Sequence, residues 1–153
     1  MRIEKVNIED IEDIKNIVEM SKRAFHTDIN VGGSKGDYPP DYDSLLWHKQ
    51  MADEGHLYKA ISDNKLVGAA VLFIDENLKR LYVGRIFIDS AFHKKGYGIK
   101  LMESIETHFP CIHQIDLDTP SWNVRTNSFY QKIGYTKVKN EDGFVFYHKN
   151  LDR

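Results

Sequence analysis

Arg85-Ile86-Phe87-Ile88-Asp89-Ser90-Ala91-Phe92-His93-Lys94-Lys95-Gly96-Tyr97-Gly98-Ile99 is the stretch that decides the fold. An apolar strand ends at Ile88, a short loop follows, and a turn with two glycines opens a helix. Main-chain N–H groups in the first turn of a helix have no partner within it. Together with the helix dipole they form an anion site, and glycine lets a phosphate approach the backbone closely. Lys94 and Lys95 add positive charge at the same place, and His93 offers a further donor. Two other nucleotide loops are excluded by spacing. The chain has no Gly-x-x-x-x-Gly-Lys-Ser/Thr run and no Gly-x-Gly-x-x-Gly.

Upstream of this loop the pattern is a strand meander. Leu57 to Ile61, Leu66 to Ile74 and Arg80 to Ile88 read as strands, separated by turns at Asp63-Asn64 and Asp75 to Asn77. Connections this short predict antiparallel neighbours. Further back, Arg2 to Asn7 reads as a first strand. A helix follows from Ile8 to Phe25, with Asn7 as its cap and Ile8, Ile11, Ile14, Val18 and Phe25 as its apolar stripe. His26 to Pro40, with Gly32, Gly33, Gly36 and Pro39-Pro40, reads as irregular. Its Gly32-to-Gly36 run is expected to be a mobile loop near an acceptor site. Asp41 or Asp43 is expected to cap a second helix that runs to Asp53, with Leu45, Leu46, Lys49 and Met51 on one face.

Downstream, Gly96 to Phe109 reads as helix, with Ile99, Met102, Ile105 and Phe109 on one face. Ile112 to Leu117 is a strand, and Asn123 to Ile133 a helix stopped by Gly134. Thr136 to Val138 and Phe144 to His148 form a closing hairpin. A strand–helix–strand step inside an otherwise antiparallel sheet predicts an α+β fold, a mixed, mostly antiparallel sheet with helices on both faces.

The chain of 153 residues has the size of one domain, and residues 1–153 are expected to form it. Lys plus Arg number 21 and Asp plus Glu 23, so no global charge draws it to nucleic acid or to an anionic membrane. The lone Cys111 cannot make an internal disulfide, and Met1 to Asp10 holds no apolar leader. No apolar run approaches the roughly 18 residues that span a bilayer. The expected location is cytoplasmic. The 7 histidines show no metal-ligand spacing, so no metal is expected.

A second motif stands at Asn123-Val124-Arg125-Thr126-Asn127-Ser128-Phe129-Tyr130-Gln131-Lys132-Ile133-Gly134-Tyr135. Taken alone, Asn123 is a helix cap and Tyr130 a core aromatic. Taken with the glycine loop, the pair resembles the GNAT acetyltransferase superfamily. His93-Lys94-Lys95-Gly96-Tyr97-Gly98 is similar to the family's acetyl-CoA loop, Gln/Arg-x-x-Gly-x-Gly/Ala, with His where Gln or Arg is usual. The second run is similar to its Asn-x6-Tyr-x-Lys-x-Gly-Phe/Tyr. The resemblance covers most of Arg80 to Tyr135, and the earlier residues match only as an outline.

The resemblance implies a V-shaped gap between the fourth and fifth strands, where a bulge splays them. Pantetheine would lie against the backbone of Phe87 and Ile88, with the Ile88 amide toward the developing oxyanion. The pyrophosphate would sit on amides from Lys94 to Ile99, and Asn123 would contact coenzyme A. Tyr130 would be the general acid that protonates the departing thiolate. The reaction implied is acetyl transfer from acetyl-CoA, as co-substrate, to an amine of a small molecule or peptide in one ternary complex. The alternatives are a non-catalytic acetyl-CoA sensor of the same fold and a protein N-terminal or lysine acetyltransferase. The base is open among Asp118, His26, Asp28 and His48, and Arg85 stands close to where some relatives place an acid. Trp47, Tyr38, Tyr42, Trp122 and Asp28 are candidates for binding a cationic or aromatic amine. A homodimer through the C-terminal strands is compatible with the family.

Overall fold

The computed structural model describes residues 1–32 and 38–153, with side chains up to residue 27 in the first segment. A seven-stranded sheet runs in the order β1-β2-β3-β4-β5-β7-β6. The strands are β1 (Arg2–Lys5), β2 (Leu57–Ser62), β3 (Lys65–Asp75), β4 (Arg80–Ile88), β5 (Gln114–Pro120), β6 (Thr136–Glu141) and β7 (Phe144–Asn150). Every pairing is antiparallel except β4 with β5. That one parallel step is bridged by the helix α3, Tyr97–His108, as a crossover requires.

Helices cover both faces. On one, α3 and α4 (Val124–Lys132) pack Leu101, Met102, Ile105 and Tyr130 against Leu72, Leu81, Ile115 and Leu117. On the other, α1 (Ile11–Gly32) and α2 (Leu45–Asp53) pack Ile14, Ile17, Met51 and Ala52 against Leu57, Ala69, Val71 and Phe87. Ile14, Ile17, Leu101 and Ile105 are fully buried, each removing on the order of 2 kcal/mol of apolar surface from water. No described helix is long and apolar enough to cross a membrane.

Several expectations are corrected. Asn7 does not cap α1. Its Oδ1 accepts from the Glu9 amide at 2.9 Å, an Asx turn, and the helix begins at Ile11. Ile8 therefore lies before the helix and is exposed. The helix runs on through His26 to Gly32, part of the segment read as irregular, because glycine ends a helix without forbidding the turns before it. Residues 33–37, most of the expected loop, lie outside the described residues. Ser44, not Asp41 or Asp43, caps α2. Its hydroxyl accepts from the Trp47 amide at 3.0 Å, while Asp41 is held at φ +62°. Leu46 is exposed, and His48, Met51 and Ala52 form the buried side of α2.

The loop after β4 contains a short 3₁₀ turn, Ser90–Phe92. Asp89, just before it, is buried and takes a two-pronged contact from Arg23 of α1, at 2.8 and 3.0 Å. A buried carboxylate needs such a partner, so the ion pair pins α1 to the end of β4.

Candidate active site

The site starts from a break in the sheet. The last β4–β5 pair is Val83 with Leu117. Past it both strands continue, β4 to Ile88 and β5 to Pro120, without pairing to each other. A bulge starts the separation. Leu72 faces Val83 and Val71 faces Arg85, so Gly84 is an extra residue in β4. A Cβ there would stand 2.5 Å from the Phe73 ring, which only glycine avoids.

The alternation of the strand sets what faces the opening. Asp89 donates its amide to the Val67 carbonyl at 2.8 Å, toward β3. The Ile86 and Ile88 amides, on the opposite parity, are turned to the gap side. The Ile88 carbonyl shares that side and lies 2.6 Å from His93 Nε2, which donates to it. The imidazole at the loop's first position thus ties the loop to the strand end.

A cavity of about 1040 Å³ fills the opening. Ile86, Phe87 and Ile88 form one wall, Asn123, Phe129 and Tyr130 the other, and the loop from His93 to Ile99 the end. Lys94 and Gly96 have positive φ, +64° and +75°. Such reversals within a few residues bring successive N–H groups into one concavity, a geometry that binds anions. Space around Gly96 is open, and a Cβ on Gly98 would touch the Phe129 ring at 3.4 Å. The backbone is therefore open to a ligand at Gly96, while the Phe129 ring bounds the space at Gly98. Of the residues expected at the site from the sequence, Phe87, Ile88, His93, Lys94, Gly96, Tyr97, Gly98, Ile99, Asn123 and Tyr130 all line the cavity. Lys95 does not; its Nζ lies 5.7 Å over the Phe92 ring.

Asn123 is both wall and cap. Its Oδ1 accepts from the Thr126 amide at 3.1 Å, satisfying an orphan donor of α4. Asn127 then anchors that turn, donating to the Pro120 and Asn123 carbonyls and accepting from the Tyr147 hydroxyl at 2.6 Å. Tyr130, one turn on, is buried among Phe129, Tyr135 and Tyr147. Burial, and next the field of Asp118, push its phenol well above the ordinary value, so it keeps its proton at neutral pH.

The base candidates separate clearly. His48 is fully buried, its Nδ1 2.6 Å from the Ser44 carbonyl, and burial lowers its pKa. His26 sits beside Tyr42, Nε2 to hydroxyl 3.3 Å. The Asp28 side chain lies outside the described residues. Asp118 is the first β5 residue past the last pair with β4, at the apex of the opening, and accepts from the Tyr82 hydroxyl at 2.5 Å. Arg85 is a cation there, its guanidinium 4.8 Å from the Trp47 ring.

Sequence reasoning missed the contribution of α1. Ala24, Phe25 and Thr27 line the cavity, as do Val124 and Arg125 and, from the amine-binding candidates, Trp122. Phe25 was visible only as an apolar residue on a stripe. The Arg23–Asp89 pair that brings α1 there joins residues far apart in sequence and has no local signal.

Residues 14–135 match the acetyltransferase (GNAT) family. Among curated proteins, the uncharacterised protein YrkN of Bacillus subtilis is 25% identical over 112 residues, 72% of this chain and 60% of that protein. The chain thus spans less than two thirds of that relative's length. Among solved structures, the PaiA N-acetyltransferase of Thermoplasma acidophilum, in complex with coenzyme A, superposes with a TM-score of 0.78 at 19% identity, covering 98% of each chain. A GNAT-family acetyltransferase of Streptococcus agalactiae gives 0.79 at 18% identity, over 99% of this chain and 96% of that one. These likenesses establish the same open mixed sheet. With its family match running from α1 to the end of the second motif, this chain belongs to the GNAT family.

Proposed function

We propose that the 153 residues act as one acetyltransferase domain, moving an acetyl group from acetyl-CoA to the amine of a small molecule or peptide by direct transfer. One observation carries this reading: the left-handed turn at Lys94 and Gly96 opens onto the same cavity as a buried, protonated phenol. The coenzyme A complex of the PaiA neighbour supports acetyl-CoA as the donor.

The turn's amides hold the diphosphate, and the Asn123 side chain borders the same channel. The gap-facing amides of Ile86 and Ile88 pair with the amide chain of pantetheine in the manner of an added strand. The Ile88 N–H is aimed at the thioester oxygen, where negative charge develops. An alkyl amine with a pKa near 10 is mostly charged at neutral pH and must lose a proton before it attacks. Asp118, held by Tyr82 at the apex of the opening, takes that proton directly or through water. The N–C bond forms, the C–S bond breaks, and Tyr130 donates its proton to the leaving sulfur. The nitrogen loses its second proton once the N–C bond has formed and the phenolate is reprotonated, so of the two protons that leave the ammonium one is matched by the proton on the thiol and one is released to solvent.

The runner-up, a sensor that binds acetyl-CoA without turnover, would not need an ionisable hydroxyl at Tyr130. A thiol-release assay separates the two. Acetyl-CoA is presented with amines, amino acids, polyamines and peptides, and amine-dependent release with a matching acetylated product is expected. Tight acetyl-CoA binding with no release for any acceptor would establish the sensor instead.

A further inference from the structure

The bulge at Gly84 has an effect on the acceptor side. In an unbroken strand, residues 82 and 85 would project to opposite faces. The extra residue puts both on the face of α1 and α2, because Tyr82 stands opposite Phe73 and Arg85 opposite Val71. Asp118 joins Tyr82 there from β5. Tyr82, whose hydroxyl holds the Asp118 carboxylate, and Arg85 are therefore neighbours along one face, rooted about 7 Å apart on β4, one side-chain repeat. Neither Arg85 nor Asp118 lines the cavity itself, but Arg85 lies beside it, since Phe25 lines the cavity and has the guanidinium 6.0 Å from its ring, and Asp118 follows the last β4–β5 pair.

The guanidinium is incompletely satisfied. Nη2 donates to the Pro40 carbonyl at 2.9 Å, and Nη1 is closed off from solvent with no hydrogen-bond partner. Among the described residues no carboxylate forms an ion pair with it, although Asp41 acts on it at longer range. The guanidinium carbon lies 4.8 Å over the Trp47 ring, a cation–π contact. A buried donor of a charged group left unmade is costly, and a neutral carbonyl is a weaker partner for a guanidinium than a carboxylate, which takes two parallel bonds. Arg85 is thus a planar fork with one prong on a main-chain stand-in and one without a hydrogen-bond partner among the described residues.

We propose, resting on the acetyltransferase reading above, that the acceptor is a small amine carrying its own carboxylate, in the simplest case an amino acid. Its carboxylate replaces the Pro40 carbonyl on the Arg85 fork, which requires the segment around Pro40 to move aside, and its amine lies toward Asp118. The same pair of charges disfavours polyamines, whose second ammonium would meet Arg85.

The test is the catalytic efficiency, kcat/KM, of the unaltered protein on matched pairs: an amino acid, and the amine left when its carboxylate is removed. A polyamine is run alongside. The amino acid is expected to be better by about tenfold or more. Arg85→Gln should collapse that ratio toward one by slowing the amino acid, and Arg85→Lys, which keeps the charge and loses the fork, should restore only part of it. The matched pair decides the matter even where a variant fails to fold. Equal or better turnover of the decarboxylated amine or the polyamine overturns the inference and leaves acetyl transfer standing. No thiol release with any amine overturns both.

Discussion

Tyr130→Phe is expected to lower kcat by roughly a hundredfold or more while leaving acetyl-CoA affinity close to its original value. The change removes one oxygen and keeps the ring packed against Phe129, Tyr135 and Tyr147. Thermal stability should therefore hardly move, which separates a catalytic loss from a folding loss. Burial keeps this phenol protonated well past neutrality, so below about pH 10 no basic limb of the kcat profile should come from it. Single-turnover kinetics and calorimetric binding on the same preparation check both halves. Unchanged turnover in the variant would remove Tyr130 from the chemistry while leaving the fold untouched.

Gly68→Ala should be the most damaging small change to the scaffold. Gly68 faces Ile88 across the β3–β4 ladder. A Cβ there would fall 2.2 Å from the Phe87 carbonyl oxygen and 3.0 Å from the Ile88 Cα. Both are main-chain atoms, so no side chain can swing aside, and β3 must move off β4 where the cavity wall is built. A loss of about 3 kcal/mol is expected, a fall in Tm of roughly 10 °C. Weaker acetyl-CoA binding should accompany it, because the displaced residues are Phe87 and Ile88. Thermal melts and binding titrations read the two effects, and a variant as stable as the parent would contradict the packing described.

Much of the fold was legible because its signals are local. The meander announced itself through short turns at Asp63-Asn64 and Asp75 to Asn77, and the parallel step through a helix between two apolar strands. The glycine loop marked the end of the cavity and the Asn123-to-Tyr135 run one wall, and the cap at Asn123 was readable from its residue type. What stayed hidden depends on tertiary partners. The closing hairpin was visible in Thr136 to Val138 and Phe144 to His148, but not that β7 would lie beside β5. That follows from burial, with Val145 and Tyr147 turned into the core and β6 exposed throughout. The extension of α1 to Gly32 was masked by the glycines that follow. The role of His93 was open until the Ile88 carbonyl was seen at its Nε2. The bulge followed from the family resemblance, but its placing of Arg85 and Tyr82 on one face needed the register.

The central claim is that main-chain donors of the turn around Gly96 hold a diphosphate and so direct a thioester toward the Tyr130 hydroxyl. A crystal structure of the protein with acetyl-CoA tests it directly. The account predicts phosphate oxygens within hydrogen-bond distance, about 2.7–3.2 Å, of amides between Lys94 and Ile99, with the sulfur beside the Tyr130 hydroxyl. A diphosphate bound elsewhere, or a thioester on the far side of β4 from Tyr130, would contradict it.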